Sequence, residues 1–142
     1  DKRRLGSLLG LKRTARKIIG PKGEKMYNKL ERDVAKFILL NNFDYIYEKT
    51  FNSENINGHI SCDFIIQKNN KTILIESTNW DKIKEKCSEL NKKFKIFNKI
   101  YKNNVKVVVN LTATIRDKYK QFLDDDIKVF SLKDFNEFLT KI

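Results

Sequence analysis

Two acidic residues set into apolar runs are the part of this sequence best suited to chemistry. Asp63 lies in the run ISCDF and Glu76 ends the run ILIE, with the polar segment 67–71 between them. These runs predict two strands joined by a hairpin, and Asn69 with Asn70 suits the turn. A carboxylate buried in a sheet is costly unless it is paired, hydrogen-bonded or bound to a metal. The pair therefore requires an explanation.

Strand geometry indicates how the two carboxylates are arranged. Side chains along a strand point alternately to opposite faces, so an adjacent strand can bring Asp63 beside Glu76, and Thr78 shares a face with Glu76. The same alternation predicts one shared face for four apolar residues: Ile60, Cys62, Phe64 and Ile66. Carboxylates that converge at a sheet edge form an oxygen site suited to Mg²⁺ or Mn²⁺. Such a metal can support phosphodiester hydrolysis.

The overall composition predicts one basic, folded domain. The chain has 142 residues and a net charge of +12. No apolar run approaches the ~20 residues of a membrane span, so we expect a cytoplasmic protein with no membrane partner. Nucleic acid is the polyanion that this charge favours, and the alternative is a lysine-rich surface that only maintains solubility.

The positive charge is concentrated at the N-terminal end. Residues 1–22 contain eight lysine or arginine residues and one aspartate. The segment 19–23 (IGPKG) contains glycine and proline, which interrupt regular structure, so it predicts a boundary. We expect a basic arm or linker helix over 1–22 and a folded domain over 23–142. Because the chain opens on Asp1, we expect further residues upstream. The arm residues predicted to contact phosphate are Arg3, Arg4, Lys12, Arg13, Arg16 and Lys17.

Hydrophobic periodicity predicts the remaining elements. Helices are expected at 24–41, 81–102, 114–123 and 133–142, and strands at 45–51, on both sides of the 67–71 turn, at 106–112 and at 127–132. The order αβββαβαβα indicates an α/β fold with a central mixed sheet flanked by helices. The first helix carries Glu31, which on position alone is a solvated residue. Trp80, before the second helix, is interpreted as a cap over the core, and the alternative is a platform on which bases stack.

This order resembles the PD-(D/E)XK nuclease superfamily, and within it the archaeal Holliday-junction-resolvase and Mrr-like branch. The resemblance covers about residues 23–132 and is carried by Glu31 in LERDVAK, Asp63 in ISCDF and Glu76 in ILIEST. It implies a restriction-endonuclease-like core and hydrolysis of DNA. It also implies that Asp63 and Glu76 bind Mg²⁺ or Mn²⁺, with Glu31 as an accessory acid and Glu24 as its substitute.

The sequence departs from that family at Thr78, which stands where the motif has a lysine. A lysine ammonium orients the attacking water and stabilises the charged phosphate, whereas a threonine offers only a neutral hydrogen bond. Lys82 or Lys84, just after the strand, is expected to reach back to the site and replace the missing lysine. The predicted catalytic residues are therefore Glu31, Asp63, Glu76, Thr78 and Lys82, while Lys84 and Lys86 are predicted to contact DNA.

Three functions fit these residues. The first is a Mg²⁺-dependent endodeoxyribonuclease, which would act as a homodimer if both strands of a duplex are cut. The second is a nucleic-acid-binding domain of the same fold whose site is degenerate, because Thr78 replaces the lysine. The third is a protein-interaction domain whose basic face is incidental. Cleavage and binding assays separate the three.

Overall fold

The computed structural model describes residues 18–52 and 59–142. Its helices are α1 (Lys29–Leu40), α2 (Ile83–Ile100), α3 (Ala113–Lys120) and α4 (Leu132–Lys141). Its strands are β1 (Ile18–Ile19), β2 (Lys25–Met26), β3 (Ile46–Asn52), β4 (His59–Lys68), β5 (Lys71–Ser77), β6 (Asn104–Asn110) and β7 (Ile127–Ser131).

Five strands form one mixed sheet in the order β3-β4-β5-β6-β7. The first two pairings are antiparallel and the last two are parallel. The α/β class, the mixed sheet and the order αβββαβαβα are confirmed, and the short hairpin β1–β2 precedes them. After α1, the observed element boundaries lie within three residues of the predicted ones.

Two hydrophobic cores cover the two faces of the sheet. The first core joins the sheet to α1 and α4 and includes Val34, Ile38, Phe64, Ile75 and Phe135. The second core joins it to α2 and α3 and includes Leu74, Cys87, Phe94, Val108 and Tyr119. Each fully buried side chain of this size contributes about 1.5–3 kcal/mol. The strands are therefore fixed from both sides, so the sheet can hold side chains at its ends in fixed positions.

The start of α1 differs from the prediction of a helix from residue 24. Residues 25 and 26 instead pair with β1 in an antiparallel hairpin. The helix begins at Lys29 because the side chain of Asn28 accepts a hydrogen bond from the Glu31 N–H at 2.9 Å. Its predicted stop is confirmed, since Asn42 adopts a φ of 65° and Phe43 N–H bonds back to the carbonyl of Ile38.

Residues 18–22 pack together with the domain. Ile18 contacts the first core, and the Lys22 ammonium donates to the Asp44 carboxylate and to the Tyr45 carbonyl. The division predicted after residue 22 thus falls inside the β1–β2 hairpin. The predicted phosphate contacts of the arm, Arg3, Arg4, Lys12, Arg13, Arg16 and Lys17, lie outside the described residues.

The hairpin between β4 and β5 follows the sequence prediction at its turn. Lys68 pairs with Lys71, and the two residues between them, Asn69 and Asn70, have φ values of 50° and 60°. Positive φ at both central positions defines a type I′ turn, whose twist matches that of the strands. The asparagine pair therefore fixes the register of the two strands.

The predicted alternation along β4 is wrong. Phe64 and Ile66 pack in the first core, but Cys62 and Ile60 pack in the second. The side-chain phase therefore slips by one at Asp63. Opposite that position, β3 changes face as well: Tyr47 contacts the first core, Phe51 the second, and the intervening Glu48 has a φ of 52°. A local backbone irregularity shared by the two strands resets the alternation.

Within residues 18–52 and 59–142, no helix combines the length and the apolar character needed to cross a membrane.

Candidate active site

The ladder between β4 and β5 ends with the pair Phe64 and Ile75, and the two acidic residues lie just beyond it. The Asp63 N–H donates to Oε2 of Glu76 at 2.8 Å, and the Ser77 N–H donates to Oδ2 of Asp63 at 2.9 Å. Each carboxylate thus bonds to the backbone of the opposite strand in place of a ladder bond. We call this arrangement, formed by Asp63 and Glu76, the carboxylate fork. It holds the two acids side by side.

A lysine from α2 completes the fork. The Lys93 Nζ lies 2.7 Å from Oε1 of Glu76. The Glu76 side chain is 4% exposed and that of Lys93 is 18% exposed, so water screens this ion pair poorly. Both oxygens of Glu76 therefore accept strong hydrogen bonds, which fixes the orientation of its carboxylate.

Burial and like charge act together on Asp63. Burial raises the pKa of this carboxyl well above its ordinary value, and the negative charges of Glu76 and Glu31 raise it further. The hydrogen bond from Ser77 and the charge of Lys93 oppose the increase. Burial lowers the pKa of Lys93, but the charges of Glu76 and Asp63 outweigh burial, so the pKa is raised and the ammonium form is stabilised.

One oxygen of the fork is open to a ligand. Oδ2 of Asp63 accepts the Ser77 N–H, whereas no donor within the described part of the chain forms a hydrogen bond to Oδ1. An ionised carboxylate accepts several hydrogen bonds or binds a cation with each oxygen. Oδ1 of Asp63 is therefore the atom most available to a metal.

Glu31 approaches the fork from the side of the first core. Its carboxylate is buried, with 4% of the residue exposed, and it accepts hydrogen bonds from the Tyr27 N–H at 2.9 Å and the Tyr47 hydroxyl at 3.0 Å. The bond to Tyr27 resembles a capping box, in which a glutamate in the first turn satisfies a backbone donor before the helix. The structure thus gives Glu31 a helix-capping contact, and its charge acts on Asp63.

Other predicted site residues lie elsewhere. The Thr78 hydroxyl accepts a hydrogen bond from the Trp80 N–H at 3.3 Å, and Lys86 pairs with Glu89 at 3.5 Å. Lys82 and Lys84 are exposed at the start of α2. Among the described residues, none of the predicted Thr78, Lys82, Lys84 and Lys86 forms a hydrogen bond or ion pair with the fork. Lys93 is its cation.

Sequence reasoning missed Lys93 because α2 carries many lysines. At 100° per residue, Lys86 and Lys93 lie nearest the apolar seam of the helix. Both are half-buried, whereas Lys84, Lys92, Lys95 and Lys99 are exposed. Helical position thus narrows the choice to two lysines, but only the packing of α2 on the sheet identifies the one at Glu76.

Trp80 does not cap the core, so that interpretation is wrong. The side chain follows β5 at the end of the sheet that carries the fork, and 57% of it is exposed.

A cleft of about 500 Å³ opens beside the fork. Ile60 and Ser61 of β4 form one wall, and residues of α2 with both signs of charge form the other, among them Glu85, Glu89, Lys92 and Lys93. Ser61 is two residues from Asp63, and Lys93 bonds directly to Glu76. A ligand in this cleft would therefore approach the ammonium that completes the fork.

The donor set fits a magnesium or manganese ion bound by two carboxylates. No group of three or more His, Cys, Asp or Glu side chains able to hold a metal occurs among the residues that the structure describes. Mg²⁺ is usually bound by one or two carboxylates, several waters and substrate phosphates. Asp63 and Glu76 are adjacent carboxylates and meet that requirement. The charge of Glu76 contributes to the raised pKa of Asp63.

Comparison of the sequence with protein-family models and with curated proteins gives no match.

Proposed function

We propose that the protein is a metal-dependent endonuclease that hydrolyses DNA phosphodiester bonds, as the resemblance to the PD-(D/E)XK superfamily implies. The observation that supports this proposal most directly is the bond between Lys93 and Glu76 at the carboxylate fork, 2.7 Å long. It joins a lysine to paired carboxylates, as the resemblance requires, although the lysine comes from a helix and not from position 78. The net charge of +12 favours a polyanionic substrate.

In this proposal Asp63 and Glu76 hold Mg²⁺ or Mn²⁺. Bound there, such an ion would activate water for attack on the phosphate and would offset the charge that develops on it. Asp63 contributes Oδ1, which has no hydrogen-bond donor within residues 18–52 and 59–142. Ser77 holds the other oxygen of Asp63, so the side chain is oriented before any ligand arrives. Glu31 adds negative charge that favours a cation at the fork.

Lys93 takes the role of the motif lysine, which the uncharged Thr78 cannot fill. Its ammonium contacts Glu76 and also lines the cleft beside the fork. From there it stabilises negative charge on a phosphate that enters the cleft and orients the attacking water. Preorganised donors of this kind contribute most where water is largely excluded, as it is around a half-buried lysine.

The test is cleavage of a panel of duplex, branched and single-stranded DNA in the presence of Mg²⁺ or Mn²⁺. Wild type is expected to cut at least one substrate only when metal is present. Glu76→Gln and Lys93→Met are each expected to lower the rate by about 10²–10³-fold, the typical loss when one electrostatic contact is removed from a site. Lys95→Met is the matched control, because Lys95 is exposed on the same helix. It should keep nearly full activity.

A second candidate is a nucleic-acid-binding domain of the same fold that does not cleave. Thr78 in place of the motif lysine favours it. Binding at low salt without cleavage in either metal, unchanged by Asp63→Ala, would contradict the nuclease and support this alternative. No binding to nucleic acid even at low salt would exclude both, since phosphate contacts are strongest there, and would leave the protein-interaction domain.

The proposed activity also implies a location and an assembly for the protein. A DNA-cleaving enzyme without a membrane partner would work in the cytoplasm, in association with DNA. Cutting both strands of a duplex would require two copies of the chain, which implies a homodimer on such a substrate.

A further inference from the structure

Trp80 is the single tryptophan of the chain, and its exposure calls for an explanation. It lies three residues beyond the end of β5, and 57% of its surface is accessible. Trp side chains are usually buried to a large extent, because their ring is the largest apolar surface among the residues. An exposed ring beside a candidate active site is a feature typical of binding sites.

The backbone that carries Trp80 is held firmly. Its carbonyl accepts the Tyr119 hydroxyl at 2.7 Å, and Tyr119 is fully buried. The Asn110 amide donates to the carbonyl of Thr78 at 2.6 Å, and the side chain of Asn79 accepts the Leu111 N–H at 2.9 Å. The segment 78–80 is thus tied to β6 and α3 while the indole ring extends outward. The backbone that carries the ring therefore loses little conformational freedom when a ligand binds.

The surroundings of the ring favour a nucleobase next to a phosphate. Leu111, 49% exposed, directly follows β6, which runs parallel to β5, so both apolar side chains lie at the carboxyl ends of neighbouring strands. Ligands of open α/β sheets bind at that edge. Lys82 and Lys84 follow on the exposed first turn of α2, where they can contact the phosphates that flank a base.

The ring is also within reach of the proposed chemistry. Trp80 lies four positions after Glu76, a span of at most about 14 Å of extended chain. That span corresponds to about four stacked nucleotides at ~3.4 Å each. A base on Trp80 and a phosphate at the fork can therefore belong to the same strand.

We infer that Trp80 is a stacking platform for an unpaired base, and that the substrate is DNA with a single-stranded segment next to the bond that is cut. This inference rests on the proposed nuclease function and specifies its substrate. A base inside a duplex has both faces covered by its neighbours, whereas an unpaired base has a free face for the indole. Trp80 is then a specificity residue that selects overhangs, flaps or branched ends over continuous duplex.

The test uses the full chain with EDTA in place of metal, so that binding is observed without cleavage. Because Trp80 is the single tryptophan, quenching of the intrinsic fluorescence reports on this side chain alone. A single-stranded oligonucleotide is expected to quench it. A blunt hairpin duplex of the same composition, and a strand with abasic sites, are expected to bind through phosphates with little quenching.

Affinities are measured by the anisotropy of labelled oligonucleotides. Trp80→Ala is expected to weaken single-strand binding about 10-fold, within the range for loss of one stacked base, and duplex binding less than 2-fold. Trp80→Phe should restore most of the affinity. Phe122→Ala is the matched control, because Phe122 is an aromatic residue that is 43% exposed beyond the end of α3. It should bind like wild type.

The outcomes separate this inference from the nuclease proposal. Equal quenching by the abasic and base-containing strands, or unchanged binding by Trp80→Ala, would overturn the platform while leaving metal-dependent cleavage intact. A change in tryptophan emission with protein concentration alone would assign the ring to a contact between copies, which also overturns the platform. Binding without any cleavage in Mg²⁺ or Mn²⁺ would reject the nuclease, even if the ring stacks.

Discussion

The two ends of the β4–β5 hairpin are built from the same pair of strands in opposite ways. At the turn end, from Phe64 and Ile75 to the asparagine turn, the ladder is continuous and apolar side chains fill both faces. At the other end the ladder stops and the carboxylate fork replaces its hydrogen bonds. One end contributes stability, while the other places two like charges together.

This difference shows how a small sheet can include a site that lowers the stability of the fold. The raised pKa of Asp63, caused by burial and by the charge of Glu76, means that ionisation at the fork opposes folding. The hydrophobic contacts of the turn end offset that cost through the same two strands. Removing the buried ring of Phe64 and removing the charge of Asp63 should therefore change stability in opposite directions, and a change in the turn itself should have the smallest effect.

Phe64→Ala tests the turn end and is expected to have the largest effect. The ring is fully buried and lies 5.3 Å from the rings of both Tyr45 and Tyr47, measured between centroids. Its removal should lower the free energy of unfolding by about 3–5 kcal/mol, measured by urea denaturation. Ile46→Ala is the control, because Ile46 is 47% exposed on β3. If the Phe64→Ala loss were as small as that of the control, the turn end would not be the stabilising region.

Asp63→Asn tests the fork and is expected to raise stability. Because the folded pKa is raised, the folded state binds the proton more tightly, so Asp63 costs stability as the pH rises above its unfolded pKa, about 3.9. The gain in the variant should be absent near pH 3 and reach about 1 kcal/mol at neutral pH, within the range of stabilising changes at functional sites. Thermal melts from pH 3 to pH 8 measure it.

Asp44→Asn is the control for the direction of the stability change expected in Asp63→Asn. Hydrogen bonds from Lys22 and from the backbone lower the pKa of Asp44, so its contribution to stability is present at neutral pH and is lost as the pH falls. Because Asp44 is exposed, the change in its variant should be small and in the opposite direction. If both variants shifted the melting temperature in the same direction, repulsion between like charges would not lower stability at the fork.

Asn70→Gly tests the turn itself and is expected to have the smallest effect. Asn70 has a φ of 60°, where glycine has no steric penalty and Asn-Gly is the preferred pair of a type I′ turn. Stability in urea denaturation should rise by less than the ~1–2 kcal/mol that the left-handed conformation costs an ordinary L-residue. Asn70→Ala should lower it, since alanine is strained in the left-handed region. An increase with alanine would contradict the type I′ geometry.

The sequence predicts the fold well because the fold depends on local patterns. Continuous β-branched runs, the asparagine turn and the seam of α2 each indicate one element, and their order leaves few topologies. The start of α1 was mispredicted because Met26 fits the helical rhythm, although Asn28 supplies the cap. Propensity and periodicity do not distinguish a short hairpin from a first helical turn.

The site was predictable only in part. Pairing of adjacent strands brings Asp63 and Glu76 together, so their proximity follows from the hairpin. The pairing of Lys93 with Glu76 does not follow from the hairpin, because it depends on which turn of α2 packs against the end of β5. The change of face at Asp63 is also invisible in the sequence. It arises where the paired strand adopts positive φ at Glu48, a backbone state that no residue pattern marks.

That irregularity at Glu48 has a consequence for how molecules of this protein meet one another. Strand β3 lies at one edge of the five-stranded sheet in the described chain. A straight edge strand is a template on which another molecule can add its own strand, which leads to aggregation. The left-handed residue in the middle of β3 interrupts the ladder at this edge, and irregularities of this kind bend a strand in other sheets. The feature that sets Asp63 out of phase therefore also protects a highly apolar sheet from intermolecular strand pairing.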